Sequence, residues 1–188
     1  IENTKKNVIR SARLSCRETH NSTGAMAITE LMAATLYLIL KGEPKDCLLE
    51  KAKNMIKDEP SKAFLKSIDD SHSRIFDKKG DSLRDLGGYA LDSYDIAMWG
   101  LINFDSFLYG MLGVLGLGGD ADTNAAIYGQ LAGAYYGYDL IPDEWKNEVY
   151  LAEDIKKLAD NLCEIKKYKI LRTRFEDDPS FKNKGRQL

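Results

Sequence analysis

At 188 residues, with 44% apolar and 30% charged side chains, the chain has the length and balance of one globular domain with its own core. A formal net charge of −2 argues against a general nucleic-acid binder, which needs a strongly basic face. Cys16, Cys47 and Cys163 are odd in number and widely spaced, matching neither a disulfide framework nor a zinc pattern. No signal peptide, transmembrane run or lipidation motif stands out, so the expected setting is reducing and cytoplasmic, with no membrane partner.

Residues 3–17 set Val8, Ala12 and Leu14 among lysines and arginines, a short basic amphipathic helix with a solvated face. Thr19-His20-Asn21-Ser22 breaks that pattern, and a long helix is predicted from Thr23 to Lys41, apolar over so much of its circumference that it is buried on most sides. Gly42 stands where a left-handed C′ residue should, and Pro44 prevents continuation. Weaker helices follow at Asp46–Lys57, stopped before Pro60, and at Ser61–Phe76, with His72 solvated among Asp and Ser. Asp77–Asp81 is a turn. Gly87-Gly88 leads into a helix over Tyr89–Ile102, and another runs from Phe107 to Leu115 with Asp105 or Ser106 as its cap. Pro142 opens a further helix, with Asp143 and Glu144 placed for its dipole. Trp99 and Trp145 read as core. From Glu164 onward the chain carries eight Lys or Arg against four acids, so residues 1–163 form the domain and 164–188 a polar basic tail. No strand alternation longer than four residues occurs, and the expected fold is all-α.

Gly118-Gly119-Asp120-Ala121-Asp122-Thr123 lies between two uncharged segments, Phe107–Gly119 and Thr123–Tyr138. Burying an ionised carboxylate costs several kcal/mol unless it is paired, hydrogen-bonded or bound to a cation. The glycines permit a tight approach with φ > 0. Asp120, Asp122 and the Thr123 hydroxyl are three hard oxygen donors within four residues, a set that suits Mg²⁺, Mn²⁺ or Ca²⁺ over zinc or copper. The alternative is that Asp120 or Asp122 merely caps the following helix. Ala125, Gly129, Gly133 and Gly137 recur every four positions along that helix and predict a close backbone neighbour.

The run Gly118-Gly119-Asp120-Ala121-Asp122-Thr123-Asn124-Ala125-Ala126-Ile127, continuing through Gly129, Leu131-Ala132-Gly133-Ala134, Gly137, Ile141-Pro142 and Trp145, resembles the C-terminal motif of the ADP-ribosylglycohydrolases. Gly88-Tyr89, Asp92-Ser93 and Ala97-Met98-Trp99 resemble the segment before that motif, and Arg17-Glu18-Thr19-His20 resembles the family's middle motif. The matches keep the family's order. Its earlier T-D-D-T-type segment and N-G-x-x-M-R-type phosphate loop have no counterpart before Thr19; Asp69-Asp70-Ser71 and Thr23-Gly24-Ala25-Met26 mimic them out of order. The resemblance therefore implies an orthogonal multi-helix bundle of the ADP-ribosylglycohydrolase type, represented here by its C-terminal half to two-thirds.

What the resemblance implies for function is a hydrolase that cleaves the glycosidic bond between ADP-ribose and a modified protein side chain or small molecule. Asp120, Asp122 and Thr123 would be ligands of one or both of two Mg²⁺ (or Mn²⁺) ions, with Asp120 and Asp122 catalytic through the metal. His20, Gly88 and Tyr89 would contact the bound ADP-ribose, although His20 can equally be read as capping the helix that follows it. The other reading is a catalytically inactive relative that binds ADP-ribose or serves a structural role. The absent upstream segments imply that this stretch alone is inactive.

Overall fold

A computed structural model describes residues 2–165, and among them every regular element is helical. The described chain falls into two compact units that divide between Ile141 and Pro142. The first unit contains helices α1 (Glu2–Arg17), α2 (Thr23–Ile39), α3 (Leu48–Met55), α4 (Glu59–Ser67), α5 (Asp69–His72), α6 (Ala90–Asn103), α7 (Phe107–Gly116) and α8 (Ala121–Tyr136). The second contains α9 (Asp143–Glu148) and α10 (Ala152–Ile165). Of the expected basic tail, all but the first two residues lie outside the described residues.

The core forms around α6, which packs on α2, α7 and α8. From Ser93 to Leu101 every α6 residue is buried, so this helix is enclosed on all sides rather than striped. Leu31, Ala34 and Leu38 of α2 and Leu131 and Ala132 of α8 complete the same core. Each Leu or Ile buried there contributes about 1.5–3 kcal/mol relative to exposure. Small residues let these helices close up: a Cβ on Gly100 would stand 2.6 Å from Val114 and 2.9 Å from the Tyr128 ring, and one on Gly110 would overlap the Tyr128 hydroxyl. That hydroxyl donates to the Phe107 carbonyl at 3.0 Å, at the break between α6 and α7.

Local signals set the ends. Ser22 caps α2, accepting from the Ala25 N–H at 3.2 Å, and Ser106 caps α7, accepting from the Tyr109 N–H at 3.1 Å. Asp105 instead receives Lys45 Nζ at 2.9 Å. Gly42 takes φ +80° after α2, and the Glu43 N–H returns to the Leu38 carbonyl at 3.1 Å. Asp58 caps α4, so Pro60 lies in the first turn of that helix instead of standing clear before it.

Four expectations need correction. The helix expected over Ser61–Phe76 is broken into α4, α5 and a 3-10 turn at Ser73–Phe76. Ser67 and Ser73 hydroxyls bond carbonyls three residues back, and Asp69 is drawn to Lys53, so polar side chains compete with the helix ladder. His72 is 1% exposed, not solvated, because this break turns it inward against Tyr94 and Asp95. Among the described residues nothing lies within 4 Å of where a Gly133 Cβ would be, so the close approach falls at Gly100 and Gly110 and not along the α8 stripe; Gly137, at φ +90°, ends the helix. Trp99 is core and donates to the Asp77 carbonyl at 2.5 Å, whereas Trp145, in the second unit, is only half-buried.

Candidate active site

Helices α2, α6 and α8 bring their N-terminal ends toward one another. A Cβ on Gly24, in the first turn of α2, would lie 3.3 Å from the Tyr89 hydroxyl, and Tyr89 is the N-cap of α6. On the other side of Tyr89, a Cβ on Gly87 would lie 2.6 Å from the Asp120 Cβ, at the start of α8. Residues 87–89 therefore bridge the start of α2 to the start of α8. The N–H groups of a first helical turn lack intrahelical acceptors and carry positive partial charge, so the start of α6, whose N-cap Tyr89 makes no side-chain capping bond, favours an anion.

The two loops interlock by backbone geometry. Asp85 adopts φ +56°, and its N–H donates to the Leu117 carbonyl at 2.9 Å. Gly118 and Gly119 take φ +77° and +64°, as their sequence pattern predicts. At Gly119 any side chain would overlap the Leu86 carbonyl. The Asn124 side-chain amide donates to that carbonyl at 3.1 Å, and Asn124 is fully buried.

Asp120 occupies the N-cap position of α8 without a side-chain capping bond, so the capping reading fails for it. Nor are the carboxylates buried as expected. Asp122 and Thr123 are exposed and Asp120 is half-buried, because α8 presents its first turn away from the packed face that carries Asn124 and Tyr128. The Thr123 backbone N–H, then the Asp120 carboxyl and the N–H of Asp122 itself, hold the Asp122 carboxyl below the usual carboxylate range. Two carboxyls within hydrogen-bonding reach of each other beside a threonine hydroxyl have the donor chemistry of a hard divalent cation. They do not complete one: among the described residues no group of three or more His, Cys, Asp or Glu is placed to hold a metal.

His20 is exposed, its Nδ1 2.9 Å from the Thr19 hydroxyl, and lies three residues ahead of α2. Since Ser22 caps α2, the capping reading of His20 also fails. Gly88 has φ +73° with nothing among the described residues within 4 Å of its Cβ position, and Tyr89 is 51% exposed. Asp85 and Asn124 were given no role by sequence reasoning. The available signal was the pair of Gly-Gly steps at 87–88 and 118–119, which mark two loops in mutual contact.

A second polar cluster underlies α6. Arg74 donates to Asp92 at 2.9 Å and to Asp95 at 2.8 Å, and His72 Nε2 stands 3.5 Å from the other Asp95 oxygen. Burial pushes the Asp95 carboxyl up to about 7 and the His72 imidazole down to about 4. On the opposite edge, Arg13 of α1 pairs with the buried Glu30 of α2 and with Asp58 at 2.6 Å, clamping the basic first helix to the bundle.

An all-α bundle that gathers these motifs at one end has the fold of the ADP-ribosylglycohydrolases, and the chain belongs to that family: the family's model matches residues 2–170. The ADP-ribosylarginine hydrolase Tri1 of Pseudomonas putida (strain GB-1) is 34% identical over 77% of this chain and 37% of its own length. The ADP-ribosylhydrolase ARH3 of Homo sapiens is 25% identical over 85% of this chain and 53% of its own length. A solved structure described as an ADP-ribosylglycohydrolase-related protein complex superposes with a TM-score of 0.64 and 32% identity, over 80% of this chain and 50% of that one. The chain thus spans about half, or less, of the length of these relatives.

Proposed function

We propose that this chain supplies one wall of the active site of a hydrolase that cleaves the glycosidic bond between ADP-ribose and a modified side chain or small molecule. The observation that carries the reading is the convergence of the starts of α2, α6 and α8, which sets Gly88-Tyr89 between the helix that follows His20 and the Asp120-Asp122-Thr123 loop. The names of the relatives, an ADP-ribosylarginine hydrolase and an ADP-ribosylhydrolase, support the substrate class.

Asp120, Asp122 and Thr123 would hold Mg²⁺ or Mn²⁺ as part of a two-ion site. When bound, the ions would supply Lewis acidity and a template for the ribose hydroxyls and the attacking water. The chain's own groups would do the positioning. The start of α6, whose N-cap Tyr89 makes no side-chain capping bond, suits the diphosphate, and the Tyr89 ring, half-exposed beside Gly24, offers a flat face to ribose or base. The exposed His20 ring, steadied by Thr19, can donate to a ligand oxygen. Cleavage passes through an oxocarbenium-like state, which a carboxylate near the anomeric carbon stabilises.

The test is release of free ADP-ribose from an ADP-ribosyl-arginine substrate in Mg²⁺. The chain would be assayed alone and then co-expressed with the T-D-D-T-bearing segment of a family member. Release only by the combined protein, abolished by Asp122→Ala, is the expected result. No release from the combined protein would overturn the reading.

A further inference from the structure

We propose that Asn124 is a positioning residue that latches the segment carrying Gly88 and Tyr89 onto the loop carrying Asp120 and Asp122, so that the two halves of the site form as one unit. The inference rests on the hydrolase reading above for its functional part; the latch itself rests on geometry alone.

Asn124 is 0% exposed, yet its side chain does not serve α8. Its Nδ2 crosses to the Leu86 carbonyl at 3.1 Å, one residue before the Gly87-Gly88 step. A carbonyl can only accept, so the amide must present its nitrogen there and the orientation of the side chain is fixed. The Oδ1 is buried with no hydrogen-bond partner among the described residues, so Asn124 gains nothing from this position except the bond to Leu86. The backbones close around that bond. A Cβ on Gly87 would stand 2.6 Å from the Asp120 Cβ and 3.0 Å from Asn124 Nδ2, and Gly119 has no room for a side chain beneath Leu86. A second bond, from the Asp85 N–H to the Leu117 carbonyl at 2.9 Å, ties the same segment one residue earlier. Asp85 and Leu86 are thus bonded to the stretch that presents the aspartates, with Gly87 packed on Asp120, while Tyr89 reaches on to Gly24. Losing the Asn124 bond leaves Leu86 facing a buried gap, and the segment gains freedom where it must approach a ligand closely.

Hydrogen–deuterium exchange on the chain tests the latch without requiring activity. In Asn124→Ala, amides of residues 85–89 should exchange about tenfold faster, the size of one lost buried hydrogen bond, while amides of α2 and the middle of α6 keep their protection. Gly87→Ala should release the same segment from the other side of the contact, and it decides the matter if Asn124→Ala does not fold. Unchanged exchange at 85–89 in the folded variants, or faster exchange spread evenly through the bundle, would overturn the latch. Free ADP-ribose in Mg²⁺, titrated into the parent co-expressed with the T-D-D-T-bearing segment of a family member, separates the functional part. Binding weakened about tenfold by Asn124→Ala, with the melting temperature of α6 packing retained, supports positioning. Equal affinity in parent and variant overturns it. A parent that does not bind ADP-ribose overturns the hydrolase reading, with the latch then decided by exchange alone.

Discussion

Asp122 is exposed on the first turn of α8, its carboxyl held by the Thr123 N–H, the Asp120 carboxyl and its own N–H. Replacing it with alanine should therefore leave the fold within about 0.5 kcal/mol of the parent, since surface substitutions away from buried networks cost little. Mg²⁺ binding by the combined protein should fall below detection. Calorimetric titration beside a thermal melt checks both, and retained binding would remove Asp122 from the ligand set. His72 makes the opposite case. Burial, then Lys53 of α3, lowers its pKa to about 4 from 6.5, with Asp69 of its own helix opposing the fall and Arg74 of the next turn adding to it, while Asp95 of α6 faces the ring at 3.5 Å. A depressed imidazole pKa contributes stability that is complete above about pH 6.5 and is lost as the pH falls toward 4. Asp95, raised to about 7, contributes with the opposite slope, so the net dependence of the parent is flattened. The difference between parent and His72→Gln isolates the histidine. The parent should lose on the order of 3 kcal/mol more than the variant between pH 7 and pH 4 in urea melts. Parallel curves would mean that His72 titrates alike in the folded and the unfolded chain.

At the scale of the element, glycine has different work in different helices. Gly100 and Gly110 lie where α6, α7 and α8 touch, against Val114 and Tyr128, and no flexible side-chain tip is there to yield. Gly100→Ala should destabilise by about 1–3 kcal/mol through overpacking. Gly133 sits mid-helix with nothing within 4 Å among the described residues, so Gly133→Ala should be neutral or stabilise by about 0.5–1 kcal/mol through helix propensity. Paired melts of the two variants check the contrast, and equal destabilisation would show that the open face of α8 is covered. The four-residue spacing of Ala125, Gly129, Gly133 and Gly137 is visible in the sequence, but spacing marks a face and does not say what stands opposite it. Two ends were legible for a simpler reason: Ser106, one of the two caps offered for α7, and Gly42 act within three residues of themselves, where no distant partner intervenes.

For the whole molecule, the metal chemistry is a matter of ligand count. Mg²⁺ requires near-octahedral oxygen coordination and gives up water reluctantly. Two carboxylates and one hydroxyl from a single exposed loop leave most positions to water, so residues 1–188 alone should bind Mg²⁺ with a Kd of about millimolar or weaker. Isothermal titration checks this, and micromolar binding would reveal ligands beyond Asp120, Asp122 and Thr123.

The sequence by itself determined the all-α class, several helix ends, the positive φ of Gly42, Gly118 and Gly119, and the family, because each depends on short-range chemistry or on a motif that is contiguous in the chain. Gly118 through Ile127 can be read without knowing what faces them. The tertiary structure alone decided that His72 is buried, that Asp122 is exposed, that the close helix contact lies at Gly100 and Gly110, and that Asn124 reaches the Leu86 carbonyl. Each of these depends on which helix face meets which neighbour. That is fixed by the enclosure of α6 among helices far apart in sequence, a long-range packing choice that periodicity within one helix does not encode.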